Sequence, residues 1–330
     1  MKGSGLLVNI KKRTVPPVIR QTEALLRRLP QNHPKRDTIE KEINKRWAGY
    51  RGEQALDYFL GFLPFSTYRI FHDLRLSVYG KSFQVDTIIL TPQVGFLIEV
   101  KNLAGVITVD DESGQFTVVK NGITKRYQNP LAQVNRQLSQ FKQWLHVHEI
   151  YTYPLLPLVA ISNPNAELNF KDTLSVPITH LDVTVERIKK LHASYENKKA
   201  FSLTPLEQSL LQQHRPYYSD ILQTFSIPSS HIQIGTRCPS CNEYSMTRKK
   251  LSWECPTCKT RSRIAHRLAV ADYFLLYGST LTNQTCQHFL GLHSRHAISK
   301  LLSRMPLSYI GSTNALTYLR PSNIEELIKQ

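Results

Sequence analysis

The chain has 330 residues, 41% of them hydrophobic and 20% charged, which is enough apolar matter for packed cores and excludes wholesale disorder. Lys and Arg number 42 against 25 Asp and Glu, and this net charge of +17 favours a polyanionic partner over a neutral metabolite. No stretch approaches the roughly 18 apolar residues of a membrane-crossing helix, and residues 1–18 lack the apolar segment and cleavage site of a secretory signal. A cytoplasmic protein with no membrane partner is therefore expected.

Residues 1–46 are basic and broken by Pro16, Pro17, Pro30 and Pro34. Short helices are predicted over about 18–29 and from about 37 onward. The second continues to Leu60, since Ala55, Leu56, Phe59 and Leu60 follow helical spacing. The period then changes to that of β-strands over 68–76, 83–90 and 94–100, with turns at Gly80 and at Pro92 and Gly95. Two more strands are expected over 106–109 and 116–119, joined by a turn at 110–114. Residues 129–146 carry a helical stripe of Leu131, Val134, Leu138, Phe141 and Leu145. A buried strand over 155–161 follows, then a strand at 176–179 and a helix near 182–192. This alternation predicts an α/β class with a mixed sheet flanked by helices. The predicted parts are a basic helical extension (1–46), the α/β domain (47–195), a helical connector (196–230), a cysteine-paired segment (231–265) and a small helical domain (266–330).

Asp86 lies in the apolar run 83–90, and Glu99 and Lys101 in the run 94–102. Residues two apart on a strand share a face, so Glu99 and Lys101 point together and Val100 points into the core. An acid inside an apolar strand is costly without a charge partner or a metal. If the two strands form a hairpin, Asp86 comes beside Glu99, and a divalent cation such as Mg²⁺ relieves their repulsion. Lys101 can then stabilise a hydroxide-like nucleophile or developing phosphorane charge. From Glu-x-Lys alone, a same-face ion pair at a strand edge reads as well.

The ordered set Gly49-x-x-Gly52-Glu53, Val85-Asp86, Glu99-Val100-Lys101-Asn102, Gly105 and Asn129-Pro130-x-x-Gln133 resembles the nuclease-related domain (NERD) family. That family belongs to the PD-(D/E)XK, restriction-endonuclease-like class of nucleases, and the likeness covers about residues 47–162. It implies that Asp86 and Glu99 hold Mg²⁺ or Mn²⁺, with the Val100 carbonyl completing the protein ligands. It implies that Lys101 positions or activates water, that Glu53 reaches the same pocket as a further ligand or polar anchor, and that Gln133 completes the site.

Cys238-x-x-Cys241 and Cys255-x-x-Cys258 are spaced as two metal-binding knuckles. Four thiolates form a tetrahedral shell suited to Zn²⁺, and the spacing resembles a zinc ribbon with a structural metal. Arg237, Arg248, Lys249, Lys250, Lys259, Arg261 and Arg263 surround the cysteines and are expected to lower their pKa values. Trp253 and Tyr244 read as aromatics of a small core or as base-stacking platforms. Cys286 reads as a buried small hydrophobe.

Helices are predicted over 269–277, 282–290 and 294–304, with Thr282 and Ser294 as N-caps. In the third, Ala297, Ile298, Leu301 and Leu302 face inward, leaving Arg295, His296, Ser299, Lys300 and Arg304 outside. A hairpin follows, formed by 306–310, a turn at 311–314 and 315–319. The pattern resembles a winged helix-turn-helix, whose third helix lies in a DNA major groove. The resulting expectation is a metal-dependent nuclease acting on DNA, its C-terminal modules binding substrate. The alternative is a non-catalytic nucleic-acid-binding or protein-interaction scaffold on the same fold; protein partners and self-association are left open.

Overall fold

The computed structural model describes residues 9–150, 152–170, 174–312 and 316–328. The chain divides into two compact units. One runs from the start of the described chain to Val15 and resumes over Lys45–Pro216; the other takes Pro16–Asn44 and the chain from Tyr217 onward.

In chain order the elements begin with β1 (Asn9–Lys11), α1 (Pro17–Arg28) and α2 (Arg36–Leu60). Then come β2 (Arg69–Val78), β3 (Lys81–Leu90), β4 (Gly95–Lys101), β5 (Gly105–Asp110), β6 (Gln115–Lys120), β7 (Ile123–Arg126) and α3 (Pro130–Val147). The first unit closes with β8 (Leu155–Ile161), β9 (Ala166–Asn169), β10 (Ile178–His180), α4 (Leu181–Ala193) and α5 (Thr204–Gln213). Its main sheet has the order β1-β2-β3-β4-β8-β10. The β2–β3–β4 meander is antiparallel, whereas β1 runs parallel to β2, and β8 and β10 run parallel to β4 and to each other. A second sheet has the order β7-β6-β5-β9.

β4 is buried along almost its whole length because both faces of the main sheet are covered. On one face Leu131, Val134, Phe141 and Trp144 of α3 pack with Leu97, Val159 and Ile161 and with the second sheet. On the other, Leu56 and Leu60 of α2 and Val185 and Ile188 of α4 pack with Ile89, Phe96, Ile98 and Val100. α3 starts where its sequence signals place it: the Asn129 side chain accepts from the Leu131 and Ala132 amides at 2.8 and 3.4 Å, and Pro130 fills the first turn.

The second unit contains α1, α6 (Ile221–Thr224), a three-stranded ribbon of β11 (Thr247–Lys249), β12 (Ser252–Glu254) and β13 (Arg261–Ser262), and α7 (Ala265–Tyr277). Next come β14 (Thr280–Thr282), α8 (Asn283–Leu290), α9 (Arg295–Leu302), β15 (Tyr309–Ile310), β16 (Thr317–Leu319) and α10 (Glu325–Ile328). The last three strands form an antiparallel sheet of order β14-β16-β15. The expected hairpin is thus present as β15 and β16, although 313–314 of its turn and 315 of its second strand lie outside the described residues. β14 was not foreseen from the sequence.

One apolar cluster joins Ala24, Leu25 and Leu29 of the N-terminal segment to Trp253, Phe274, Phe289 and Leu301. So the basic stretch 1–46 is shared between the two units, and ribbon and C-terminal helices have one core. Arg28 is fully buried there: Nε donates to Asp272 Oδ2 at 2.8 Å, and the guanidinium lies 4.3 Å from the Phe289 ring centroid. Cys286 is buried in the same core, as its lone position suggested. No helix among the described residues is long and apolar enough to cross a membrane.

Candidate functional site

The β3–β4 ladder pairs Leu90 with Gly95 and continues to Thr87 opposite Ile98. The next pair in that register is Asp86 with Glu99, and there the ladder ends. The amide of Val100 donates instead to Asp86 Oδ2 at 3.0 Å. On the other side, β2 pairs with β3 at His72–Thr87 and Leu74–Val85 but skips Asp73 opposite Asp86. Asp73 adopts φ +52°, a left-handed conformation that takes it out of the strand. β3 is thus released from both neighbours at Asp86, which opens the sheet where the acids sit.

Glu99 is 2% exposed. Its Oε1 accepts from Lys101 Nζ at 2.5 Å and its Oε2 from Gln137 Nε2 at 2.9 Å. Lys101 Nζ also donates to Gln133 Oε1 at 3.0 Å. Gln133 and Gln137 are one helical turn apart on α3, which covers the face that Glu99 and Lys101 share. Burial first, then the charge of Asp86, pushes Glu99 up to about 7. Asp86 is raised by burial, against the pull of the Val100 amide. Glu53, on α2, is pushed up to about 8 by burial and then by Asp86. Its Oε2 accepts from Arg13 Nη1 at 2.7 Å.

Of the residues expected at this site, Glu99, Lys101 and Gln133 therefore form one hydrogen-bonded chain, and Asp86, held by the Val100 amide, acts on Glu99 through its charge. Glu53 faces the same carboxylates through its charge while bonded to Arg13. Val100 is turned to the α2-side core, and its amide holds Asp86. Sequence reasoning missed Gln137 and Arg13. The signal for Gln137 was its place four residues after Gln133 on one helix face. Arg13 follows a three-residue strand, too short to show a period.

The remaining motif residues fix this geometry. A Cβ on Gly52 would lie 2.5 Å from Ser162 Oγ and 2.8 Å from Asn102 Cβ, so α2 runs hard against the end of β4. Asn102 Nδ2 donates to the Ala48 carbonyl at 2.8 Å across the same contact. Gly52→Ala is expected to cost about 1–3 kcal/mol in urea unfolding, because backbone and packed side chains must move apart. A loss within 0.5 kcal/mol would mean the contact is loose. Gly105 sits at φ +117°, with the site of a Cβ 2.3 Å from the Val119 carbonyl oxygen. Nothing in the structure explains Gly49.

In the second unit the four cysteine sulfurs lie within 4.8 Å of one another. Cys238–Cys258 and Cys241–Cys255 are each separated by 3.5 Å. A disulfide needs about 2.05 Å, whereas sulfurs bound tetrahedrally at about 2.3 Å from a metal stand about 3.8 Å apart. Each knuckle turns through a left-handed residue after its second cysteine, Asn242 (φ +68°) and Lys259 (φ +61°). The Cys258 thiol is held down to about 6 by the Thr260 hydroxyl and amide, and Cys255 is lowered by the amides of Cys258 and Thr257. Cys241 is instead pushed up to about 12, against the pull of the Glu243 backbone, by burial and the neighbouring sulfurs. Contacts beside the sulfurs therefore lower Cys255 and Cys258, and not the surrounding Arg and Lys. Arg261, for example, is spent on Glu254 at 3.1 Å. Among the described residues, only these cysteines bring three or more metal-ligating side chains so close.

Trp253 is fully buried, and its Nε1 donates to His266 Nδ1 at 3.1 Å. The Tyr244 hydroxyl donates to the Arg27 carbonyl at 2.7 Å. Trp253 is therefore an aromatic of the small core, whereas Tyr244 is half-buried, with the Arg28 guanidinium 4.9 Å from its ring centroid. On α9, Ile298, Leu301 and Leu302 are buried, Ala297 and Ser299 are half-buried, and Arg295, His296 and Lys300 are exposed; the helix ends at Leu302, so exposed Arg304 lies past its C-cap Ser303.

The first unit is a mixed sheet flanked by helices, with Asp86 and Glu99-x-Lys101 where β3 leaves its neighbours. The family model described as nuclease-related domain matches residues 48–162. That segment contains every acidic-site residue named above except Arg13. Over 116 residues the chain is 27% identical to an uncharacterized protein of Bacillus anthracis; the alignment takes in 34% of this chain and 52% of that protein. The chain thus spans about half the length of this curated relative. No solved structure matches.

Proposed function

We propose that this protein is a metal-dependent nuclease that hydrolyses phosphodiester bonds in DNA. The observation that carries this reading is the bonded chain Glu99–Lys101–Gln133 beside Asp86, set where β3 leaves both neighbouring strands. Its donor set suits a hard cation: two carboxylates, each held above its ordinary range, and the buried Gln137 Oε1, which has no hydrogen-bond partner. Asp86, Glu99 and the Val100 carbonyl would hold Mg²⁺ or Mn²⁺. Such an ion, when bound, polarises phosphoryl oxygens and acidifies water. Lys101 offers its ammonium to the attacking water and to the charge that grows on phosphorus. Gln133 aims that ammonium, and Gln137 fixes the Glu99 carboxylate. The test is cleavage of single-stranded, duplex and branched DNA with Mg²⁺ or Mn²⁺; no cutting of any form with either ion overturns the reading.

The four cysteines hold Zn²⁺ in this reading. Their closed shell leaves no open position, so the metal is structural. α7, α8 and α9 with the sheet β14-β16-β15 have the arrangement of a winged helix, whose third helix enters the major groove. Arg295, His296, Ser299, Lys300 and Arg304 face DNA there. Replacing Arg295, Lys300 and Arg304 by Ala is expected to weaken binding evenly across sequences. The slope of log affinity against log salt should flatten by about one for each lost phosphate contact. An unchanged slope, measured by fluorescence anisotropy, removes α9 from the interface.

The acidic site also sets a pH dependence. Glu99 at about 7 keeps a proton in the folded state that the unfolded chain releases near 4.5. The folded state then binds more protons, so stability of the metal-free protein falls as pH rises through this window, by about 1.4 kcal/mol per pH unit. His72, pushed down to about 3 by burial and then by Arg13 and Lys11, acts oppositely below pH 6.5, where the unfolded chain takes up its proton first. The decline should therefore be steepest just above pH 6.5, and Mg²⁺ should flatten it. Urea unfolding at each pH measures both; a rise in metal-free stability from pH 6.5 to 8 contradicts the argument.

A further inference from the structure

The Arg13 side chain is 3% exposed and stands at the acidic end of the first unit. Nη1 donates to Glu53 Oε2 at 2.7 Å and to the Asp86 carbonyl at 3.4 Å. Nε and Nη2 donate to the Asp57 carboxylate at 3.1–3.2 Å. Nη2 also meets His72 Nδ1 at 2.8 Å and Thr87 Oγ1 at 2.9 Å. Glu53 and Asp57 are one turn apart on α2, so two carboxylates and the carbonyl of Asp86 converge on one cation. The segment that brings it is fastened beside β2, where Lys11 Nζ donates to the carbonyls of His72 and Asp73 at 2.7 and 3.0 Å.

Two carboxylates and a main-chain carbonyl are the hard-oxygen set a divalent cation prefers. Two-metal centres place their ions about 3.5–4 Å apart on either side of the reacting phosphate. A guanidinium keeps its charge at any working pH and meets carboxylates through a planar fork. We propose that Arg13 stands where a second divalent cation would otherwise sit, so that the nuclease centre of this chain takes a single metal ion on its Asp86–Glu99 side. The proposal rests on the metal-dependent reading above. Arg13 acts through Glu53 and the main chain of Asp86 and is a positioning residue. It lies outside residues 48–162, so the device comes from a part of the chain that the family model does not span.

The test counts bound Mn²⁺ on zinc-loaded protein, from the electron paramagnetic resonance signal of the free ion. One ion per chain is expected for the wild type, and two overturn the proposal. Arg13→Met keeps the length and removes the charge, and is expected to bind two. Adding Glu53→Gln to it should bring the count back to one, and Arg13→Lys should stay at one. An Arg13→Met protein with a native circular dichroism spectrum and only one ion also overturns the proposal. If that variant does not fold, the wild-type and Arg13→Lys counts decide, since two ions in either sink it. No ion in the wild type overturns it too, but places the failure in the Asp86–Glu99 reading.

Discussion

Lys101→Ala should lower kcat for DNA cleavage by about 10²–10³-fold while DNA binding is kept, the loss typical of removing one preorganised group that meets transition-state charge. Glu99→Gln should cost at least as much, because it takes away half of the acidic pair. What separates this from a structural ion pair is the sign of the accompanying stability changes. Lys101 Nζ is bonded to a carboxylate that is 2% exposed. Losing the ammonium leaves Glu99 beside Asp86 with only Gln137 to satisfy it, so metal-free Lys101→Ala should be destabilised. Glu99→Gln removes one of two repelling carboxylates and should stabilise the metal-free protein while abolishing its response to Mg²⁺. Activity at a functional site is commonly held at the expense of stability in this way. Urea unfolding without metal, beside a cleavage assay, reads both signs. Glu99→Gln that is both destabilised and fully active would reduce the pair to a strand-edge salt bridge.

The parts of this site legible in the sequence are those governed by local periodicity. The two-residue period of β4 put Glu99 and Lys101 on one face, and the stripe on α3 showed which side of that helix is buried. Knuckle spacing announced the cysteine cluster for the same reason: each pair is closed by a turn of a few residues. Features that depend on distant partners were silent. Arg13 meets Glu53, Asp57 and Asp86 across 40 to 73 residues of chain. α1 joins the core of α7 and the ribbon through Ala24, Leu25 and Arg28, which no local pattern could announce. β7 is exposed at every residue and exists because it pairs with β6, so it has no apolar signature. The break in the ladder at Asp86 arises from Asp73 on another strand, and only the register of three strands together reveals it.

Removing the metal from the cysteine cluster should unfold far more than a surface loop. Cys238 and Cys255 are fully buried and belong to the same apolar cluster as Trp253, Phe274 and Leu301. The ribbon strands are only two or three residues long, too short to persist by pairing alone. Metal binding by such small modules is worth on the order of 10 kcal/mol and is largely their folding energy. A tight zinc chelator, or Cys255→Ser, should therefore expose Trp253 and melt the core that includes α1. The fluorescence change should vanish in Trp253→Phe, which assigns it to this unit and not to Trp47 or Trp144. Acid should act like the chelator once it protonates the sulfurs. DNA affinity should fall with the fluorescence change, since α9 loses the core that holds Ile298 and Leu301 inward and its basic residues outward. If chelation instead leaves Trp253 buried, the cysteines are dispensable and the ribbon is held by its apolar contacts alone.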